Sequence, residues 1–195
     1  MKICHTLSGT IDASDPDVED IKLQDIAHGL SMICRYGGMC PQFYPVADHA
    51  ILVAQIVIRE TNNAVWALHA LHHDSAEAYL GDQRGPLKRN LGWALDGPRP
   101  DFLSFGAVEA RFDEAIRAAL NLGHFPVEAT QVIRFADRVA LNLEMSYFFK
   151  ETPHSIIPQH VAGWRPVRKD PGWFAHRFVE VHENLRIRIA REVSK

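Results

Sequence analysis

Cysteine is scarce. The 195-residue chain holds three, Cys4, Cys34 and Cys40. The number is odd, and the Cys34/Cys40 spacing matches no zinc-knuckle or redox pattern, so a reducing, cytoplasmic setting is expected rather than a disulfide framework. Positive charge is not in excess either. Lys and Arg number 21 against 24 Asp and Glu, a formal net charge of −3, and general binding to a nucleic-acid polymer needs the opposite balance. No stretch approaches the ~20 apolar residues that cross a bilayer, so no membrane partner is expected. No apolar run follows Lys2, which speaks against an ordinary secretory leader. Internal repeats, low-complexity tracts and convincing runs of alternating strand residues are also missing.

What is present is an ordinary globular balance, 47% hydrophobic and 23% charged. A single domain of this length buries about 70% of the surface its unfolded chain exposes and needs no staple. Apolar residues recur at helical spacing. A first helix is expected from Ile21 (through Ile26, Leu30 and Ile33), ending at Gly37-Gly38. Val46–Glu60 follows Pro45, and Trp66–Leu80 reads as one further helix stopped by Gly81. Residues 81–100, rich in Gly and Pro, suggest a loop with a short helical piece. Val108–Leu122, Glu128–Phe149 and Phe174–Val193 complete the pattern, with residues 1–20 as an entry loop and prolines breaking 151–172. The fold class expected is all-α, a compact single-domain helical bundle spanning residues 1–195.

One residue type is plentiful: eleven histidines. Three of the expected helices carry metal-liking side chains in apolar surroundings. These are Asp48-His49 in PVADHAILVA, His72-His73-Asp74 in ALHALHHDSAEAY, and Asp137 in VIRFADRVALNLE. Burying a lone carboxylate or imidazole costs several kcal/mol unless something pairs with it, and one divalent cation would pair with them all. Two imidazoles and two carboxylates suit Mn, Co, Zn, Fe or Ni and suit Ca poorly. His73 and Asp74 are adjacent, about 100° apart on a helix, leaving a wedge for a cation. Glu77 lies one turn along, placed to handle a proton on water beside that cation. His69 and His73 stand at i, i+4, a spacing that binds metal unaided. His72 is read as a core or neighbouring residue, and His69 as a partly exposed helix position. Asp137 has a plainer alternative as an ion-pair partner of Arg134 or Arg138. Tyr147-Phe148-Phe149 and the pair Trp164/Trp173 read as core or subunit interface before base-stacking surface. For Cys34 and Cys40, packing is the default.

The isolated His, the His-Asp doublet and the distant Asp resemble the HD superfamily of metal-dependent phosphohydrolases. The similarity is closest to the small branch of 5′-deoxynucleotidases and phage-type dATP triphosphohydrolases. It runs from about Leu23 to Leu143 through IAHGLSMICRYGG, FYPVADHAILVA, HDSAEAYLGD, PLKR and ADRVALNLE. The doublet alone is a weak signal, and HDxxEAYxGD with the upstream ICRYxG is a strong one. The resemblance implies an HD core over about 23–150 with a C-terminal helical extension over about 151–195. It implies His49, His73, Asp74 and Asp137 as metal ligands, Glu77 as acid/base residue and Arg35 as phosphate contact. Asp82 would help position substrate or attacking water, and Lys88 would add a second positive charge. Tyr36 stands where relatives commonly carry a Trp beside the sugar, and Arg84 is an extra cation in GDQRGPLK.

The function implied is hydrolysis of nucleotides with a divalent transition metal, 2′-deoxynucleoside 5′-monophosphates giving nucleoside and phosphate. The alternatives are a dATP triphosphohydrolase and a catalytically silent nucleotide-sensing module. The partner implied is a small nucleotide. A homodimer or higher homo-oligomer is expected, as symmetric assembly is the common case and the family habit.

Overall fold

Eleven of the sixteen residues of Val46–Thr61 are buried, on every side of the helix. A helix apolar all round belongs in the middle of a domain, and the others pack around it. The computed structural model describes residues 3–83, 104–154 and 156–194. Among these the α-helices are α1 Leu23–Met32, α2 Val46–Thr61, α3 Ala64–Leu71, α4 Glu77–Leu80, α5 Phe105–Ala119, α6 Ala129–Phe149 and α7 Pro171–Val193. The all-α reading holds.

Two of the described junctions have a local cause. Asn62 ends α2 in the left-handed region at φ 56°. Asn63 then caps α3, its side chain accepting the Trp66 N–H at 3.0 Å. This two-residue connection folds α3 back on α2. Asp170 caps α7 by accepting the Trp173 N–H, and Pro171 occupies the first turn, where its missing donor costs nothing. Helix α7 packs on α1, α2 and α3, and α6 packs on α2 and α3. Phe174, Phe178 and Leu185 of α7 join Ile26, Leu30, Ile56 and Leu68 in one continuous core. At Gly29 of α1, an added Cβ would stand 2.9 Å from both the Cβ and the carbonyl oxygen of Ala78, so α1 and α4 meet at this spot without room for a side chain.

Three local expectations are corrected. The first helix ends at Met32, not at Gly37-Gly38. Cys34 bridges to Pro45, with the Arg35 N–H donating to the Tyr44 carbonyl and the Val46 N–H to that of Ile33. These bonds draw the chain out of the helix, and Arg35–Gly38 forms a separate tight turn. The entry segment contains a small antiparallel hairpin, β1 Ile3–His5 with β2 Thr10–Asp12, closed by the Thr6 N–H donating to the Gly9 carbonyl and the Gly9 N–H to Thr6 Oγ1. The expected helix Trp66–Leu80 is two helices, α3 and α4, separated by turns over 72–76. The backbone there uses i→i+3 bonds such as Ser75 N–H to His72 and Glu77 N–H to Asp74. Side chains support the break: His73 Nδ1 donates at 2.7 Å to the Ala70 carbonyl, which the His73 backbone N–H also reaches. No described helix is long and apolar enough to cross a membrane.

Candidate metal centre

The His-Asp doublet sits in the turns between α3 and α4, facing His49 on α2 and Asp137 on α6. His49 is fully buried. Its Nε2 lies 3.2 Å from Asp137 Oδ1 and 3.7 Å from Asp74 Oδ2. His73 Nε2 lies 3.1 Å from Asp74 Oδ2 and 4.0 Å from Asp137 Oδ1. The ligand atoms of His49, His73 and Asp74 all fall within 4.8 Å of one another. Atoms bound to one cation at ~2.1 Å stand roughly 3–4 Å apart, so a small closure would let this cluster hold one.

The tautomers fit the same reading. His73 Nδ1 carries its proton toward Ala70, and His49 Nδ1 carries its own toward Glu144 Oε1 at 2.6 Å. In the neutral rings both Nε2 atoms are then lone pairs, buried and aimed at carboxylate oxygens. Lone pairs facing anionic oxygens repel unless a proton or a cation lies between them. Burial alone lowers the affinity of His73 for a proton, but Asp74 and Asp137 overturn this and raise its pKa to about 9. His49 is also raised, against burial and Arg35, mainly by Glu144 and Asp137. Asp74 opposes its burial through His73, His49 and Arg35 and lies well below the usual carboxylate range. The donors therefore fit a divalent cation: two imidazole nitrogens with their far nitrogens anchored, and adjacent carboxylates held ionised.

Glu77, the first residue of α4, has a buried Oε2 without a hydrogen-bond partner. Burial, then the charges of Asp74 and Asp82, push its pKa up to about 9. Asp82 follows Gly81, which ends α4 at φ 80°. Burial and Asp74 raise its pKa, while Arg35 and the Tyr36 backbone N–H act against that rise. Glu77 and Asp82 thus both feel the charge of Asp74 in the doublet.

Arg35 and Tyr36 converge on a residue that sequence reasoning missed. Glu144 on α6 is fully buried. Its Oε2 accepts from Arg35 Nε at 3.1 Å, Arg35 Nη2 at 3.0 Å and the Tyr36 hydroxyl at 2.6 Å. Its Oε1 accepts from the Tyr44 hydroxyl at 3.0 Å and from His49 Nδ1. Burial would raise its pKa, but Arg35, His49 and Tyr36 hold it down at about 2. One buried carboxylate therefore links the Arg35 turn to a candidate ligand. The available signal was its place seven residues after Asp137, two turns along the same face of α6 in ADRVALNLE.

The remaining histidines separate cleanly. His72 is core: Nδ1 meets Ser75 Oγ at 2.9 Å, and Nε2 meets His182 Nδ1 of α7 at 2.8 Å. His69, expected to be partly exposed, is instead 3% exposed, its ring edge-on to Phe125. Ile116, Leu122, Phe125 and Ile133, all distant in sequence, line the pocket around it and cover that face of α3. Tyr147 and Phe148 pack with Tyr44 and Trp164 in a small second cluster. Lys88 and Arg84 lie outside the described residues.

No family model matches the chain. It is similar to the uncharacterized protein YfdR of Escherichia coli, 40% identical over 126 residues, covering 65% of this chain and 60% of that protein. It is also similar to the uncharacterized protein RCAP_rcc00048 of Rhodobacter capsulatus, 34% identical over 149 residues, covering 71% and 68%. The chain belongs to the family of these proteins. The match spans less than two thirds of YfdR and just over two thirds of its R. capsulatus relative.

Proposed function

We propose that the chain is a cytoplasmic, metal-dependent phosphohydrolase of nucleotides, converting 2′-deoxynucleoside 5′-monophosphates to nucleoside and phosphate. The observation that supports this is the meeting of His49 Nε2, His73 Nε2 and Asp74 Oδ2, with Asp137 Oδ1 beside them, around one point next to Glu77. His49, His73, Asp74 and Asp137 hold the cation. When bound, a divalent ion supplies Lewis-acid polarisation of a phosphoryl oxygen and acidifies water at neutral pH.

The protein groups do the rest. Glu77, whose carboxyl is pushed toward the protonated form by burial, Asp74 and Asp82, is the acid/base residue and gives its proton to the leaving 5′-oxygen. Asp82 orients water or the substrate hydroxyl from the end of α4. Arg35 keeps its charge in the buried pair with Glu144 and presents it toward Asp74 and the phosphate. Lys88 would add a second positive charge, as the resemblance implies. Phosphate-ester hydrolysis is among the slowest uncatalysed reactions, so this concentration of charge and proton donors at one point is what the reaction requires.

The test is a panel of mono- and triphosphates offered to metal-stripped protein reloaded one ion at a time, with free phosphate and triphosphate told apart in the products. Release of phosphate from deoxynucleoside monophosphates is expected with at least one of Mn, Co, Zn, Fe or Ni. Intact monophosphates with dATP consumed to deoxyadenosine and triphosphate would overturn the monophosphate reading. Nucleotide binding with no turnover under any ion would overturn hydrolysis itself and leave a sensing module.

A further inference from the structure

The turn that carries Arg35 and Tyr36 is bracketed by two thiols. Cys34 precedes it and Cys40 closes it, and their Sγ atoms stand 3.6 Å apart, in van der Waals contact. Both are free. Cys34 is half-buried, and the buried Cys40 donates to the Gln42 carbonyl at 3.1 Å. The backbone between them is tightly wound: Tyr36, Gly37 and Gly38 all lie at positive φ (60°, 61° and 77°), and the Met39 N–H donates back to the Tyr36 carbonyl. The flanks are fixed by the Cys34–Pro45 bridge. The two sulfurs therefore face each other across a short loop whose ends are already held. Bonding distance is ~2.05 Å, a closure of about 1.5 Å that side-chain rotation can supply.

We propose that Cys34 and Cys40 form a reversible disulfide that pins the Arg35–Gly38 turn against Glu144. The oxidant is a low-molecular-weight disulfide such as oxidised glutathione. The Cys34 thiolate attacks one of its sulfurs, forming a mixed disulfide and releasing one glutathione thiol. Cys40 Sγ then attacks Cys34 Sγ and releases the second. The protein loses two thiol protons and two electrons, and the glutathione disulfide is reduced to two thiols. Cys34 is the entry point because it is the more accessible of the two, and burial raises the Cys40 thiol pKa to about 11. Cys4, exposed on the N-terminal hairpin, is an internal control: with no second cysteine beside it in the described structure, it stops at the mixed disulfide.

The experiment treats the whole reduced protein with oxidised glutathione and reads its peptides by mass. The Cys34–Cys40 segment is expected to lose two hydrogens while Cys4 gains one glutathione. Glutathione retained on Cys34 or Cys40, or both left free while Cys4 is fully modified, would overturn the pairing. Amide hydrogen exchange supplies a second readout that needs no substrate. The Arg35 and Met39 amides are expected to exchange at least several-fold more slowly in the oxidised protein, and a thiol reductant should restore the rate. Unchanged or faster exchange would overturn the claim that the bond pins the turn. The Cys40→Ser variant, in which Cys34 should stop at the glutathione adduct, checks that the two act as a pair.

Discussion

Glu144 Oε1 lies 2.6 Å from His49 Nδ1, and the same carboxylate carries Arg35 on its other oxygen. The imidazole is thereby fixed with Nε2 turned toward Asp74 and Asp137, in the orientation a metal ligand needs. Glu144→Gln keeps the size and loses the charge. Metal affinity is expected to fall ~10–100-fold, measured by competition with a chelator of known strength. The metal-free protein should lose about 3 kcal/mol in urea unfolding, since Arg35 keeps its charge with no counter-charge on the neighbouring side chain. Unchanged metal affinity would remove Glu144 from the centre.

Asp74→Asn separates ligand from bystander. In wild-type protein, excess metal at ~100 times its dissociation constant should stabilise the fold by about 2.7 kcal/mol, seen as a rise in melting temperature. In the variant this rise is expected to vanish, together with hydrolysis. A preserved metal-dependent shift would mean that the cation sits elsewhere.

Glu77→Gln tests proton transfer apart from binding. Burial and the neighbouring carboxylates favour the neutral carboxyl, so an amide of the same shape should leave stability and metal loading nearly unchanged. Turnover should fall by roughly 10²–10⁴-fold. If metal binding falls as well, Glu77 is a ligand rather than a proton carrier.

Acid stability follows from the pair His72 and His182. Burial lowers both pKa values; at His182 Glu183 opposes the shift and Arg186 adds to it, and at His72 the neighbouring imidazoles His182, His69 and His73 add to it. In the unfolded chain they protonate near their ordinary value of about 6.5. Below that pH the unfolded state binds more protons, so stability is fully present above it and is lost as the pH falls. Each such group adds up to about 1.4 kcal/mol per pH unit. His182→Gln keeps a partner for His72 but cannot titrate. Its unfolding free energy, followed by urea titration between pH 7.5 and 5, should fall less steeply than that of the wild type.

Gly29→Ala probes the contact of α1 with α4. The new methyl would meet Ala78 Cβ and the Ala78 carbonyl oxygen at 2.9 Å, so one helix must shift. A loss of about 1–3 kcal/mol is expected on unfolding. Because α4 begins at Glu77, turnover should decline even in the fraction that stays folded, which rate measurements normalised to metal content will show.

The helical fold and most of the candidate centre were legible because they rest on local signals. His49 stands out as a polar residue in the apolar run PVADHAILVA, and the doublet lies close to Glu77 in the chain. What escaped notice depends on contacts between distant segments. Glu144 looks like any carboxylate on an amphipathic helix until Tyr36, Tyr44 and Arg35, about a hundred positions earlier, fold over it. The break at 72–76 contains neither Gly nor Pro, and only the His73 bond to Ala70 and the short backbone bonds reveal it. The end of α1 was misplaced for the same reason, since Pro45, eleven positions on, extends the chain at Cys34. The hairpin strands are three residues each, too short for alternation to register.

Helix α7 lays Phe174 and Phe178 into the core shared by α1, α2 and α3, and its His182 seals the back of His72. During synthesis those aromatic rings leave the ribosome long after the surfaces they cover. Until Pro171–Val193 has emerged, the nascent bundle exposes an apolar seam along α1 and α3. Closing it must wait for a long-range docking step, and until then that seam is the surface open to aggregation.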